Sequence, residues 1–150
     1  MKNQLRVLCA DDDETCELLT TTLGISDIEV KSVHTVADVW QMAQIELFDL
    51  YFLETRLPDG DGFDLCRRLR KFPPRTPIVF YSCEAYPIDR QKGLAAGAVD
   101  YLVKPYFGDL AANHFTNQNH GKTSVINPQD FTFLSPATNR RLNCALNFDC

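Results

Sequence analysis

Along residues 1–108, short apolar runs alternate with segments whose apolar residues recur at helical spacing. "RVLCA" (6–10) is one such run, and the segment after it places Cys16, Leu19 and Leu23 on one helical face before stopping at Gly24. "IEVKSV" (28–33) alternates as a strand does, whereas "VADVWQMAQIELF" (36–48) returns to helical period through Val36, Val39, Trp40 and Ala43. "DLYFL" (49–53) and "PIVFYS" (77–82) predict the third and fourth strands. Between them, "GFDLCRRLRKF" (62–72) predicts a helix with Phe63, Cys66 and Leu69 on one face and Arg67, Arg68, Arg70 and Lys71 mostly outside. Residues 87–97 predict a further helix ending at Gly97, and "VDYLV" (99–103) a fifth strand. Strands that are mostly continuously apolar are buried on both faces, and a helix between successive strands makes them parallel. The pattern therefore predicts a doubly wound α/β domain.

In such a sheet, ligands and chemistry gather at the carboxyl ends of the strands, near the point where the winding reverses. The first predicted strand ends at Asp11-Asp12-Asp13, the third at Glu54, the fourth at Ser82 and the fifth at Lys104-Pro105. The third is an apolar run that closes on a single acid and then breaks at Pro58-Asp59-Gly60-Asp61-Gly62. Taken singly, each of these residues has an ordinary role: acids favour a helix start, a serine caps a helix, and a lysine decorates an edge. Taken together, they bring acids, a hydroxyl and a lysine to one edge of one sheet.

Composition changes the picture near residue 112. One asparagine, Asn3, precedes that point and seven follow it. Residues 1–108 hold 12 basic and 17 acidic residues and the remainder three of each, so the whole net charge of -5 lies in the first part. That charge argues against nonspecific nucleic-acid binding. No run reaches the roughly 18 to 20 apolar residues of a membrane span, and the start lacks a signal peptide, so a soluble cytoplasmic chain is expected. The six cysteines (Cys9, Cys16, Cys66, Cys83, Cys144 and Cys150) show no CxxC pair or metal-finger spacing and read as reduced thiols, mostly in the core. The histidines His34, His114 and His120 share no spacing and read as surface residues.

"VLCADDDE", "DLYFLETRLPDGDGF", "PIVFYS" and "GAVDYLVKPY" resemble, in order and spacing over roughly residues 4–108, the signature stretches of response-regulator receiver domains. The resemblance implies a flavodoxin-like sheet of order 2-1-3-4-5 and a place in two-component signalling. It also implies Mg²⁺ held by Asp11, Asp12, Glu54 and the backbone carbonyl of Arg56. The family's phosphoacceptor, an aspartate served by a histidine kinase, falls on Glu54. The phosphoryl-binding hydroxyl falls on Ser82, the pairing lysine on Lys104, the mobile aromatic on Tyr101 and a cis peptide on Lys104-Pro105.

The departure is at the acceptor. One extra methylene moves a carboxylate by about 1.5 Å, and misplacement by about 1 Å costs in-line attack about a hundredfold. Glu54 is therefore not expected to be a normal phosphoacceptor, and histidine-kinase partnership is left open. Its single charge partly mimics the nearly doubled charge of a phosphoaspartate. Two carboxylates about 4 Å apart repel by about 4 kcal/mol at an effective dielectric near 20. Asp11, Asp12 and Glu54 thus need a divalent cation, a raised pKa or Lys104, and the longer glutamate reaching Lys104 directly would take the metal's place. Arg56 and Cys83 stand where they affect access to the pocket, and nothing beyond Lys104 is at hand to activate the Cys83 thiol.

Residues 1–120 are assigned to the receiver domain, with a last helix over 107–115 carrying Phe107, Leu110, Ala111, His114 and Phe115 on one face. Residues 121–150 form either a polar tail or a β-hairpin from 129 on that resembles the opening of a winged-helix output domain. No recognition helix follows, so no direct DNA reading by this chain is expected. The leading function is a phosphorylation-independent receiver, not an enzyme, that binds a protein partner or a second copy through its fourth helix, fifth strand and fifth helix. Transcription regulation is one setting for it. The alternative is a receiver still switched by phosphorylation or a small ligand. A phosphotransferase with its nucleophile after strand one, at Asp11 and Asp13, is disfavoured because the pair lacks the usual apolar residue between and no cap insertion exists. A flavin binder is disfavoured because no Ser/Thr/Gly-rich loop follows strand one.

Overall fold

A computed structural model describes residues 4–24, 28–73 and 75–104. Five strands, β1 (Leu5–Ala10), β2 (Ile28–Val33), β3 (Leu50–Leu53), β6 (Ile78–Ser82) and β7 (Asp100–Val103), pair in parallel in the order β2-β1-β3-β6-β7. This is the 2-1-3-4-5 order once a small two-stranded hairpin, β4 (Arg56–Leu57) and β5 (Gly60–Asp61), is set aside. The sequence pattern showed only a break there, because strands of two residues are too short to display any alternation.

Side chains alternate across the sheet and build two cores. On one face, α1 (Asp13–Gly24) packs Cys16 and Leu19 against Val7, Cys9, Leu50, Phe52 and Val79. On the other face, Leu8, Tyr51, Leu53, Ile78 and Phe80 pack with residues of α2 (Val36–Ile45), α3 (Gly62–Arg70) and the segment that ends α4 (Pro87–Ala95), such as Val39, Leu65, Cys66 and Ala96. β2 lies at the edge, which explains its alternating Ile28-Glu29 pattern of one buried and one exposed residue.

Capping fixes where the helices begin and end. Thr35 caps α2 through the Asp38 amide, and Asp59 at the hairpin tip accepts from the Val36 and Ala37 amides at 2.6 and 3.0 Å. Asp61 caps α3. Gly62 has no alternative at the start of α3, because a Cβ there would lie 2.2 Å from the Glu54 carbonyl oxygen. α4 ends at Ala95, two residues earlier than its pattern suggested, and Gly97 takes φ +108° to turn the chain into β7. The Lys104-Pro105 peptide, the helix over 107–115, the hairpin from 129 and the division at residue 120 lie outside the described residues.

Candidate functional site

The winding reverses between β1 and β3, and these neighbours end together. Ala10 is in register with Leu53, and the Glu54 amide donates to the Ala10 carbonyl at 2.9 Å, so Asp11 and Glu54 emerge side by side. At the far side of β6, the Lys104 amide donates to the Ser82 carbonyl at 2.7 Å, which anchors the lysine at the end of β7. Its stem then reaches back across the strand ends.

Lys104 Nζ lies 2.8 Å from both carboxylate oxygens of Asp11 and 2.8 Å from Glu54 Oε2. The three side chains are only 7%, 4% and 15% exposed respectively. One ammonium therefore serves two nearly buried carboxylates. Burial opposes the Lys104 charge, but its bonds to Asp11 and Glu54 outweigh that and hold its pKa above the ordinary lysine value. For Asp11 burial wins: shared access to one ammonium, with Glu54 beside it, leaves its pKa raised to about 6.

The second oxygen of Glu54 enters a chain of neutral groups. Glu54 Oε1 accepts from the Thr55 amide at 2.6 Å and from the Thr55 hydroxyl at 3.0 Å. Thr55 Oγ1 is 3.0 Å from Ser82 Oγ, and Ser82 Oγ accepts from the Glu84 amide at 3.1 Å. Tyr101, 3% exposed, donates its hydroxyl to the Glu84 carbonyl at 2.6 Å, and burial pushes its phenol up to about 12. Ser82 thus meets Glu54 through Thr55, and Tyr101 is bonded to the carbonyl of the same Glu84 whose amide donates to Ser82, with the Ser82 hydroxyl near enough to oppose the rise of the phenol.

The remaining expected residues stand round an open cavity of about 780 Å³ lined by Asp11, Asp12, His34, Glu54, Arg56 and Cys83 among others. Asp12 turns to the first turn of α1, accepting from the Thr15 amide at 2.8 Å. Burial works against its charge, but that amide and nearby Lys104 keep its pKa below the usual carboxylate range. Arg56 is 84% exposed and pairs with Glu84 at 3.3 Å. Cys83 is exposed at the rim, and partial desolvation pushes its thiol up, so it is not an activated nucleophile.

Two site residues escaped the sequence reading. Thr55 is polar and 2% exposed, and its position directly after Glu54 was the one available signal. The sequence predicts a surface position for His34, and its side chain is 46% exposed, yet its Nδ1 is 2.7 Å from the Asp11 carbonyl oxygen and its Nε2 3.1 Å from Asp13. The bond to the Asp11 backbone raises its pKa.

The carboxylates of Asp11, Asp12 and Glu54 are hard oxygen donors of the kind Mg²⁺ takes. Their arrangement does not match that chemistry, since the Lys104 ammonium sits where Asp11 and Glu54 converge. Among the described residues, no group of three or more Asp, Glu, His or Cys is disposed to hold a metal ion.

Comparison with known proteins agrees with this architecture. The model of the response regulator receiver domain matches residues 7–113. The transcriptional regulatory protein GltR of Pseudomonas aeruginosa is 40% identical over 102 residues, covering 67% of this chain and 42% of that protein. The response regulator protein PilR of the same organism is 32% identical over 105 residues, covering 70% of this chain and 24% of its own length. The chain thus spans less than half the length of either relative. Among solved structures, the chemotaxis response regulator CheY4 of Vibrio cholerae superposes with a TM-score of 0.64 at 27% identity, over 69% of this chain and 89% of that one. With the family model matched over most of the chain and a parallel sheet whose strand ends carry Asp11, Glu54, Ser82 and Lys104, this chain belongs to the response-regulator receiver domains of two-component signalling.

Proposed function

We propose that this receiver holds its output state without phosphorylation of the acceptor position, and that it acts by binding a protein partner or a second copy of itself. The observation that carries this reading is the 2.8 Å contact between Glu54 Oε2 and Lys104 Nζ. In the family, that lysine pairs with the phosphoryl group on the acceptor aspartate. Here the longer side chain brings a permanent negative charge to the lysine with no transfer reaction. Ser82 and Tyr101 are engaged at the same time, Ser82 with Thr55 and Tyr101 buried against Glu84, so the switch residues are held around a charge that is always present.

Receiver domains typically bind Mg²⁺ beside their acceptor, but no step of this proposal runs through a metal, because the Lys104 ammonium already pairs with both Asp11 and Glu54. The output surface is assigned to α4 and β7 together with the helix expected after β7. The names of relatives such as GltR support a setting in transcription regulation, with any DNA contact made outside this chain. No helix among the described residues is long and apolar enough to cross a membrane.

The test is incubation with acetyl phosphate and Mg²⁺, followed by intact-mass measurement of wild type and Glu54→Asp. Wild type is expected to gain no phosphoryl mass, and Glu54→Asp to gain one. Labelling of wild type overturns the proposal. The open cavity at the strand ends keeps one second reading, a receiver switched by a small ligand or by phosphorylation elsewhere in the pocket, and mapping of any label would identify it.

A further inference from the structure

We infer that Thr55 is a positioning residue that ties Ser82 to Glu54 and, through the placement of the Glu84 backbone, sets where Tyr101 rests. The inference rests on the reading of Glu54 as a standing charge. Its support is the direction of the hydrogen bonds, which the donor and acceptor capacity of each group determines.

The ionised Glu54 carboxylate has no proton to give, so both the amide and the hydroxyl of Thr55 donate to Oε1, at 2.6 and 3.0 Å. A threonine hydroxyl has one proton, and that proton is now used. At 3.0 Å from Ser82 Oγ, Thr55 Oγ1 can only accept, so the Ser82 hydroxyl donates to it. The single Ser82 proton is used in turn, and Ser82 Oγ accepts from the Glu84 amide at 3.1 Å. The other side of the same residue completes the connection, since the Glu84 carbonyl accepts from the Tyr101 hydroxyl at 2.6 Å. The three links from the Glu84 amide through Ser82 and Thr55 run one way, toward the carboxylate, and polarise one another, whereas the Tyr101 bond lies on the next peptide group and is tied to them by the position of the Glu84 backbone.

Burial makes the chain consequential. Thr55 and Ser82 are 2% and 1% exposed, so neither hydroxyl has water as a substitute partner. Removing the Thr55 hydroxyl strands the Ser82 proton in a site without water, and a Ser82 side chain that turns about χ1 toward another acceptor withdraws Oγ from the Glu84 amide. The Glu84 segment then loses its tie at the point where Tyr101 is bonded. A residue that neither touches a substrate nor belongs to the charged trio thus sets where the switch aromatic rests.

The test compares Thr55→Val, which keeps the shape and deletes the hydroxyl, with Thr55→Ser, which keeps the hydroxyl, in the full chain by NMR. Amide hydrogen exchange at Glu84 and the ring signals of Tyr101 are read against reference amides in β1 and β3. Thr55→Val is expected to speed Glu84 exchange by about tenfold, as loss of one buried hydrogen bond does, and to shift the Tyr101 signals, while β1 and β3 stay as they were. Thr55→Ser restores both. Ser82→Ala, which cuts the same chain one link later, is expected to change Tyr101 alike, and the double variant no further than either single one. An unchanged Glu84 amide in Thr55→Val, a uniform loss of protection across the sheet, or additive effects at Tyr101 would each overturn the inference. Should Thr55→Val fail to fold, Thr55→Ala, which also deletes the hydroxyl, takes its place with the same readouts and the same outcomes. None of these readouts involves phosphoryl transfer, so a labelled wild type would defeat the proposed function separately.

Discussion

Two ion clusters sit at opposite ends of the same sheet and show what burial does to the same chemistry. At the amino end, Arg6 pairs with Glu29 and Glu46, and Lys31 pairs with Glu46 at 2.7 Å, two cations against two acids with side chains 26% to 43% exposed. At the carboxyl end, Lys104 stands alone against Asp11 and Glu54, all three at most 15% exposed. The first cluster is balanced, wet and replaceable. The second is short of one positive charge and has little water to screen it, so every member depends on the others.

That contrast is sharpest at Lys104. Lys104→Met leaves two nearly buried carboxylates without a counter-ion, and a loss of about 3 to 5 kcal/mol in unfolding free energy is expected from denaturant titration. Adding Glu54→Gln to it should recover part of the loss, because one unpaired charge is removed. A loss below about 1 kcal/mol would mean the two clusters do not differ in kind.

A second, smaller effect concerns pH. Asp11 has a native pKa raised to about 6, above its unfolded value, so the folded state binds the extra proton between about pH 4 and 6. The stability contributed by the protonated form is complete below that window and is lost as pH rises through it. Relative to Asp11→Asn, wild type should therefore lose on the order of 2 kcal/mol between pH 4 and 7. The opposite trend would show that Lys104 compensates Asp11 fully and that the cluster is balanced after all.

The smallest effect is expected at the amino end. Arg6→Gln should cost less than about 1 kcal/mol at low ionic strength, and added salt should erase the difference, whereas the Lys104→Met deficit should persist. Salt titration of the two variants side by side measures the comparison directly.

Much of this was legible in the residues. The mostly apolar runs at 6–10, 49–53, 77–82 and 99–103 mark strands covered on both faces, and the helical spacing between them marks the covering layers. The strand-end residues Asp11, Glu54, Ser82 and Lys104 followed from that topology alone. Thr55 was passed over because orientation at a strand end depends on the local turn, and in this protein Gly62 sets that turn by packing against the Glu54 carbonyl. Asp59 caps α2 from 23 residues away, a partnership no local pattern can display. Asp12 and Arg56 stand at the cavity but take partners from their own surroundings, Thr15 and Glu84.

Sequence by itself determined the fold class, the end of the sheet where chemistry collects, and the glutamate that closes the third strand of the sheet, because these depend on residue type and period. Tertiary structure alone decided how the charges pair. The outcome depended on whether Glu54 spans to Lys104, a distance set by the register of β1, β3, β6 and β7, and on which hydroxyl protons point where once water is excluded. Those are properties of strands brought side by side from positions 11 to 104, where packing and desolvation outweigh any local preference.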